Sequence, residues 1–372
     1  MLSGGARRFG VLAVFALVLG CESLIDAPFD KAEPRPAPVQ CDLEKPLRPP
    51  GVEAAPGDLE FTLVVSENDL AEGVAVDGTP AYLNLGFDLD DTCTGPGVPP
   101  RCATPAWTGA NPVDGPGGID NGVGRLLYRL SELFGAPLIT SGQVNDRMRS
   151  GLIAPFFAIR IKNYNGVFSD EQVDVELFLV HTPKDVPGLT PRFDGSDVWP
   201  LVEEWVASGG AGSAVAKMRD PNAYVTGSEI VAHFQDGAIT FLNAPIRFRS
   251  AVLTGKLEVD ASQRWRLGKG MVAGVTGMQD ILRAIPYGAK ATLGVVTCTN
   301  SNGYADVKKL LCSGADMTDV PGNAARACNL VSFGLGIETV PVTFGAVLPA
   351  VPPDEICPPE ADPGNDDCSV PP

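Results

Sequence analysis

Between residues 59 and 348 the apolar side chains recur mostly at every second position, in short runs broken by turn residues. A strand sends successive side chains to opposite faces, so this period marks ribbons with one face to bury. Leu59, Phe61, Leu63 and Val65 open the series. Phe157, Ile159 and Ile161, then Val173, Val175, Leu177 and Leu179, flank turn chemistry at Asn163-Tyr164-Asn165-Gly166. Asp174 and Glu176 alternate with the second run, which predicts an antiparallel pair with one wet face. Runs at 229–234 and 238–242 are separated by Asp236-Gly237, a strong hairpin signal. Further strands are expected at 82–87, 246–248, 251–259, 265–272, 291–297, 330–338 and 340–348.

Helical spacing is rarer. Val123, Leu126, Leu127, Leu130, Leu133 and Phe134 share one helical face, with Asp120 or Asn121 placed as the cap and Gly135-Ala136-Pro137 as the stop. Shorter helices are expected at 143–149, 278–285 (ended by Pro286) and 304–312. No βα alternation runs through the chain. The expected class is mainly β: an antiparallel β-sandwich-like body, residues 58–350, with about three covering helices. The loop-rich stretch 182–224 is a candidate subdivision or a long excursion within one domain.

The N-terminus predicts a destination. Arg7-Arg8 precede an apolar run at 9–20, and Cys21 closes it. Twelve residues are too few for a permanent membrane helix but suit an export signal. Val18-Leu19-Gly20-Cys21 resembles a bacterial lipobox, with valine in place of the usual leucine. That makes 1–20 a lipoprotein signal peptide and Cys21 the lipidated first residue of the mature chain. Residues 21–57 hold eight prolines and form a tether that cannot bury enough surface to fold alone. Membrane contact is expected through this lipid anchor, in the cell envelope. Glu22 is not the aspartate linked to inner-membrane retention, which favours the outer membrane. The 351–372 segment, rich in proline and acid, is expected to be a disordered tail.

Nine cysteines is an odd number for an exported chain, and lipidation of Cys21 removes the odd one. Cys41, Cys93, Cys102, Cys298, Cys312, Cys328, Cys357 and Cys368 can then form disulfides in an oxidising compartment. Zinc ligation has little support, since no C-x-x-C occurs. Sequence leaves 105 pairings open. Short spacings favour Cys93 with Cys102 and Cys357 with Cys368, two of Cys298, Cys312 and Cys328 together, and the third with Cys41.

Lys and Arg number 28 against 45 Asp and Glu, a net charge of -17, which repels nucleic acid and favours cations. The acid concentrates in two turns around Cys93 and Cys102. Asp88, Asp90 and Asp91 lie in the first, and Asp114, Asp120 and Asn121 in the second. The plainer account is two Asx turns and a helix cap with every carboxylate solvated. The alternative is a Ca2+ site ligated by Asp88, Asp90, Asp91, Asp114 and Asp120, since calcium takes six to eight oxygens from flexible loops. Carboxylates brought together without a cation, or an arginine such as Arg101 or Arg125, would raise one another's pKa. The spacing is not that of an EF-hand. The pattern G-x-DLD…C…DGPGGIDN followed by a leucine-rich helix, residues 86–127, resembles a group of uncharacterised cell-envelope lipoproteins of myxobacteria and their relatives. Residues 173–179 are similar to a lesser degree. The resemblance implies location and style, not a reaction or a site residue.

G-x-S-x-G, Walker A, H-E-x-x-H and G-x-G-x-x-G are all missing from the sequence, so no catalytic residue is assigned. His181 and His233 read as structural or surface histidines. The leading expectation is a non-enzymatic structural or binding module, with a protein or glycan partner. A carbohydrate-binding or carbohydrate-cleaving surface protein is the alternative, drawn from Trp199, Trp205, Tyr224 and Trp265 as ring faces for sugars.

Overall fold

The described residues form twelve strands and four helices. The strands are β1 (Leu59–Asp69), β2 (Ala158–Tyr164), β3 (Asp170–Phe178), β4 (Val198–Val202), β5 (Val206–Ser208), β6 (Val215–Ala216), β7 (Met218–Thr226), β8 (Glu229–Phe241), β9 (Ala244–Val259), β10 (Trp265–Gly277), β11 (Leu330–Pro341) and β12 (Thr343–Leu348). The helices are α1 (Gly122–Phe134), α2 (Ser141–Arg149), α3 (Met278–Leu293) and α4 (Tyr304–Cys312). The computed structural model describes residues 48–49, 57–134, 139–320, 325–351 and 355–372. The signal segment 1–20, Cys21, Cys41 and most of the tether lie outside the described residues.

The expected mainly β, antiparallel body with helical covers is present. Its main sheet closes on itself in the order β1-β11-β10-β9-β8-β7-β3-β2. The inward side chains of the alternating runs fill the ring, among them Leu63, Ile159, Val175, Ala232, Leu253, Val272 and Leu335. A second layer gives the sandwich-like character. β12 pairs with β4 as a small parallel sheet. It buries Trp199, Leu201 and Phe344 against the outward residues Val64, Ala158 and Phe178 of β1 to β3. Residues Gln40–Pro372 cluster as one compact unit, so 182–224 is an excursion within it.

That cover removes the wet face expected for β2 and β3. Glu176 is 0 % exposed, and the outward sides of β2, β3 and β7 carry a charged ladder instead. Arg160 Nε donates to Glu176 Oε2 at 2.6 Å. Lys162 Nζ lies 3.0 Å from Asp174 and 3.2 Å from Glu176. Arg219 grips Asp174 with two bonds of 2.7 and 2.6 Å. Burial pushes the Asp174 carboxyl up, but the hydrogen bonds from Arg219 and Lys162 outweigh it and hold the pKa below the usual range.

Several expected boundaries move. Asp236-Gly237 does not turn the chain; it lies inside the single strand β8, where Gly237 pairs with Phe248. A Cβ on Gly237 would come within 2.2 Å of the Phe248 ring, so this glycine permits close approach. The turn comes at Leu242-Asn243, both at positive φ (50° and 66°), as a two-residue hairpin of the right twist requires. Residues 82–87 are not a strand: 82–84 belong to the 3-10 turn Ala81–Asn84, and only Phe87 makes an isolated bridge, to Asp120. Pro286 does not end its helix. α3 runs on to Leu293, then stops at Gly294 with φ 68°. Burial of Met278 and Leu282, with Ile281 and Ile285 packed beside them, holds α3 across the missing hydrogen bond, and no strand forms at 291–297.

The disulfides also depart from expectation. The bonds are Cys102–Cys328, Cys298–Cys357 and Cys312–Cys368. Cys93 is disulfide-bonded too, but not to Cys102. Nor are Cys357 and Cys368 joined, or any two of Cys298, Cys312 and Cys328. Backbone pairing explains the first change: Cys328 N–H donates to the Ala103 carbonyl at 2.8 Å, which carries Cys102 to Cys328. The segment 355–372 is consequently no disordered tail. Its two bonds pin it to the body, Lys308 Nζ reaches Asp366 at 2.7 Å, and Tyr304 donates to Asp366 at 2.9 Å.

Candidate metal centre

The two acidic turns are zipped together on the outside of the barrel. Asp120 N–H donates to the Phe87 carbonyl at 2.9 Å, and Asp114 N–H to the Thr94 carbonyl at 3.0 Å. Phe87 anchors the first turn in an apolar patch with Val231, Val252 and Ala273 on the outer face of the sheet. Gly86, at φ 147°, lets the backbone pass within contact of the Asp120 carbonyl.

The choice of helix cap decides what Asp120 can do. Asn121 caps α1, its Oδ1 accepting from Gly124 N–H at 2.8 Å. Its amide also donates to the Leu85 and Gly334 carbonyls, tying the loop to β11. Asp120 is thereby left out of the cap. Its Oδ2 accepts only the Leu89 N–H, at 2.7 Å, among the described contacts, and the residue is 3 % exposed.

Asp88, Asp90 and Asp120 each bring a carboxylate oxygen within 4.8 Å of the other two. Asp114 stands close enough to interact electrostatically with Asp90 and Asp120. Asp91 stands outside that trio and adds its repulsion to Asp88. It is exposed, with φ 55°, and its carbonyl accepts from Arg101 at 3.1 Å. Asp316 joins them from the segment before β11, buried and within electrostatic reach of Asp90, Asp114 and Asp120. Ser332 holds it: the backbone N–H donates at 2.9 Å, and the hydroxyl donates at 2.5 Å while accepting from Gly122 N–H at 2.7 Å. Nothing in the local sequence links a residue some 200 positions away to the loop, since β11 alone brings it there.

The electrostatics are those of an anion cluster that Arg101 and Arg125 offset only in part. Burial raises the Asp90 pKa to about 7, with Asp88 and Asp316 adding repulsion that Arg101 only partly offsets. Asp114 is likewise raised to about 7 by burial, then by Asp90 and Asp316. Burial and the same neighbours push Asp120 well above the carboxylate range. Neither arginine proposed from sequence forms an ion pair with the cluster among the described residues. Arg101 donates to Thr92 and the Asp91 carbonyl, and Arg125 to the Ser313 and Gly314 carbonyls. Asp90 Oδ1 is buried and accepts no hydrogen bond. Carboxylate oxygens from loops, one of them orphaned, fit a hard divalent cation.

The aromatic set does not gather into a platform. Trp199 is fully buried in the outer layer, and Tyr224 is buried on the barrel wall. Trp265 stacks on Phe61 at 5.8 Å and meets Tyr164 edge-on at 5.3 Å. His181 is buried, with Nε2 3.1 Å from the Leu348 carbonyl, and His233 sits exposed on β8. No family model matches the chain, and no curated protein or solved structure is similar to it.

Proposed function

We propose that this protein is a lipid-anchored cell-envelope module, structural or binding rather than catalytic, whose acidic loop is completed by calcium. The observation that carries the calcium reading is the orphaned Asp90 Oδ1 inside a cluster of Asp88, Asp114, Asp120 and Asp316 that has no ion pair with an arginine among the described residues. A cation held there would turn mutual repulsion into attraction and lock the loop on the barrel wall. The disulfide-rich body suits an oxidising compartment.

The test is thermal unfolding in calcium and in chelator. A cation that binds only the folded state adds RT ln(1 + [L]/Kd), about 2.7 kcal/mol at a hundredfold excess over Kd, or roughly 5–10 °C. Asp90→Asn/Asp120→Asn should abolish the difference. The sign with pH follows from the raised pKa values. Protons compete for these carboxylates up to about pH 7, so the calcium-dependent shift should grow from pH 5.5 to pH 8. Without calcium, the same groups make the fold lose stability as pH rises from about 4 to 7, because the folded state holds the protons more tightly. Equal midpoints in calcium and chelator at pH 8 would remove the cation from the account.

The anchor has its own check. Wild-type chain expressed in a bacterial envelope should partition into the detergent phase, and Cys21→Ser should leave it in the aqueous phase. Equal partitioning of both would sink lipidation.

A further inference from the structure

A cavity of about 860 Å³ opens at one mouth of the barrel, on the side where β3 ends and β9 begins. Its volume is that of a small-molecule site. Its charge is opposite to that of the chain. Among the described residues, Arg147, Lys184, Lys217, Arg247 and Lys290 line it against two carboxylates, Asp185 and Glu204, in a protein of net charge -17. Glu204 is already engaged, both of its oxygens accepting from Ala350 N–H at 3.2 and 3.0 Å.

These cations come from five separate parts of the chain: α2, the turn after β3, the link into β7, β9 and α3. Convergence of this kind does not follow from one solvated helix face. Arg147, Lys184, Lys217 and Arg247 form no ion pair among the described residues, whereas Arg149, Arg219 and Arg266 elsewhere on the body each have a carboxylate. Like charges around one concavity repel until an anion enters. Between them the wall is apolar, with Leu152, Leu242 and the half-buried Trp205 ring. Of the tryptophans singled out in the sequence, Trp205 is the one that lines this cavity.

We propose that this mouth binds a small amphipathic organic anion, its carboxylate or phosphate head held by Lys217 and Arg247 and its apolar body laid against Trp205 and Leu242. The site is separate from the acidic loop, so it stands whether or not calcium binds there. Isothermal titration calorimetry of the full chain with 1-naphthoate, 1-naphthyl phosphate and the neutral 1-naphthalenemethanol tests it. The expected result is saturable one-to-one binding of at least one anion, weakened by salt, and at least about tenfold tighter than the alcohol. The tighter of the two anions identifies the head group. Lys217→Ala/Arg247→Ala should weaken it by at least about tenfold with an unchanged unfolding midpoint, since both side chains are exposed. Anions that bind no better than the alcohol, or a double variant that binds like wild type, would overturn the proposal. Absence of saturable binding by all three compounds would do the same.

Discussion

Replacing Cys102 and Cys328 together by serine is expected to cost on the order of 5 kcal/mol, the largest loss among the three described bonds. The bond closes 226 residues, against 59 and 56 for Cys298–Cys357 and Cys312–Cys368. In the chain-entropy account the cost grows with the logarithm of loop length, so each shorter loop should cost about 4 kcal/mol. Cys102–Cys328 also fixes the acidic loop beside the segment that supplies Asp316, so calcium affinity should fall in the same variant. Urea midpoints under non-reducing conditions check the ranking. A Cys102/Cys328 variant that unfolds at the wild-type midpoint would show that backbone pairing at Ala103 suffices.

The second large effect lies in the charged ladder. Glu176→Leu leaves Arg160 buried without its acid and is expected to cost about 3–5 kcal/mol. Arg160→Met/Glu176→Leu removes both charges from a site already walled by Phe178 and Ala214, and should recover most of that loss. A double variant no more stable than the single one would mean that Arg160 is satisfied by the Ala214 carbonyl and Glu60 alone. Asp174 adds a pH signature. Its lowered pKa means its share of stability is full above the ordinary carboxylate range and is lost only as pH falls below it.

The alternation of Leu63, Ile159, Val175 and Leu177 was enough to read the class of the body, because period two and burial on one side are local properties. Closure into a ring was not legible, since β1 meets β11 across 330–341 and nothing near Leu59 announces that partner. Asp174 and Glu176 misled for a related reason. They look solvated beside their neighbours, and only β4, β6 and β12, far along the chain, cover that side. The same distinction runs through the acidic loop. Asp88, Asp90, Asp114 and Asp120 were legible as a group because two turns and one helix start place them. Asp316 was not, and Asp91 is exposed at the edge of the group, facing Asp88 alone. Cysteine spacing failed wherever short distance in sequence was taken for short distance in space.

The pairing of β1 with β11 sets a timetable for biosynthesis. The first barrel strand is made at Leu59, but the strand that seals its free edge starts only at Leu330. At a synthesis rate of about 5–20 residues per second, that edge waits roughly a quarter of a minute to a minute for its partner. Cys102 waits for Cys328, 226 residues later, and Cys312 for Cys368, 56 residues later. Nascent fragments therefore cannot settle piece by piece from the front. Until β11 is made, the outer edge of β1 is an open template for pairing with another chain.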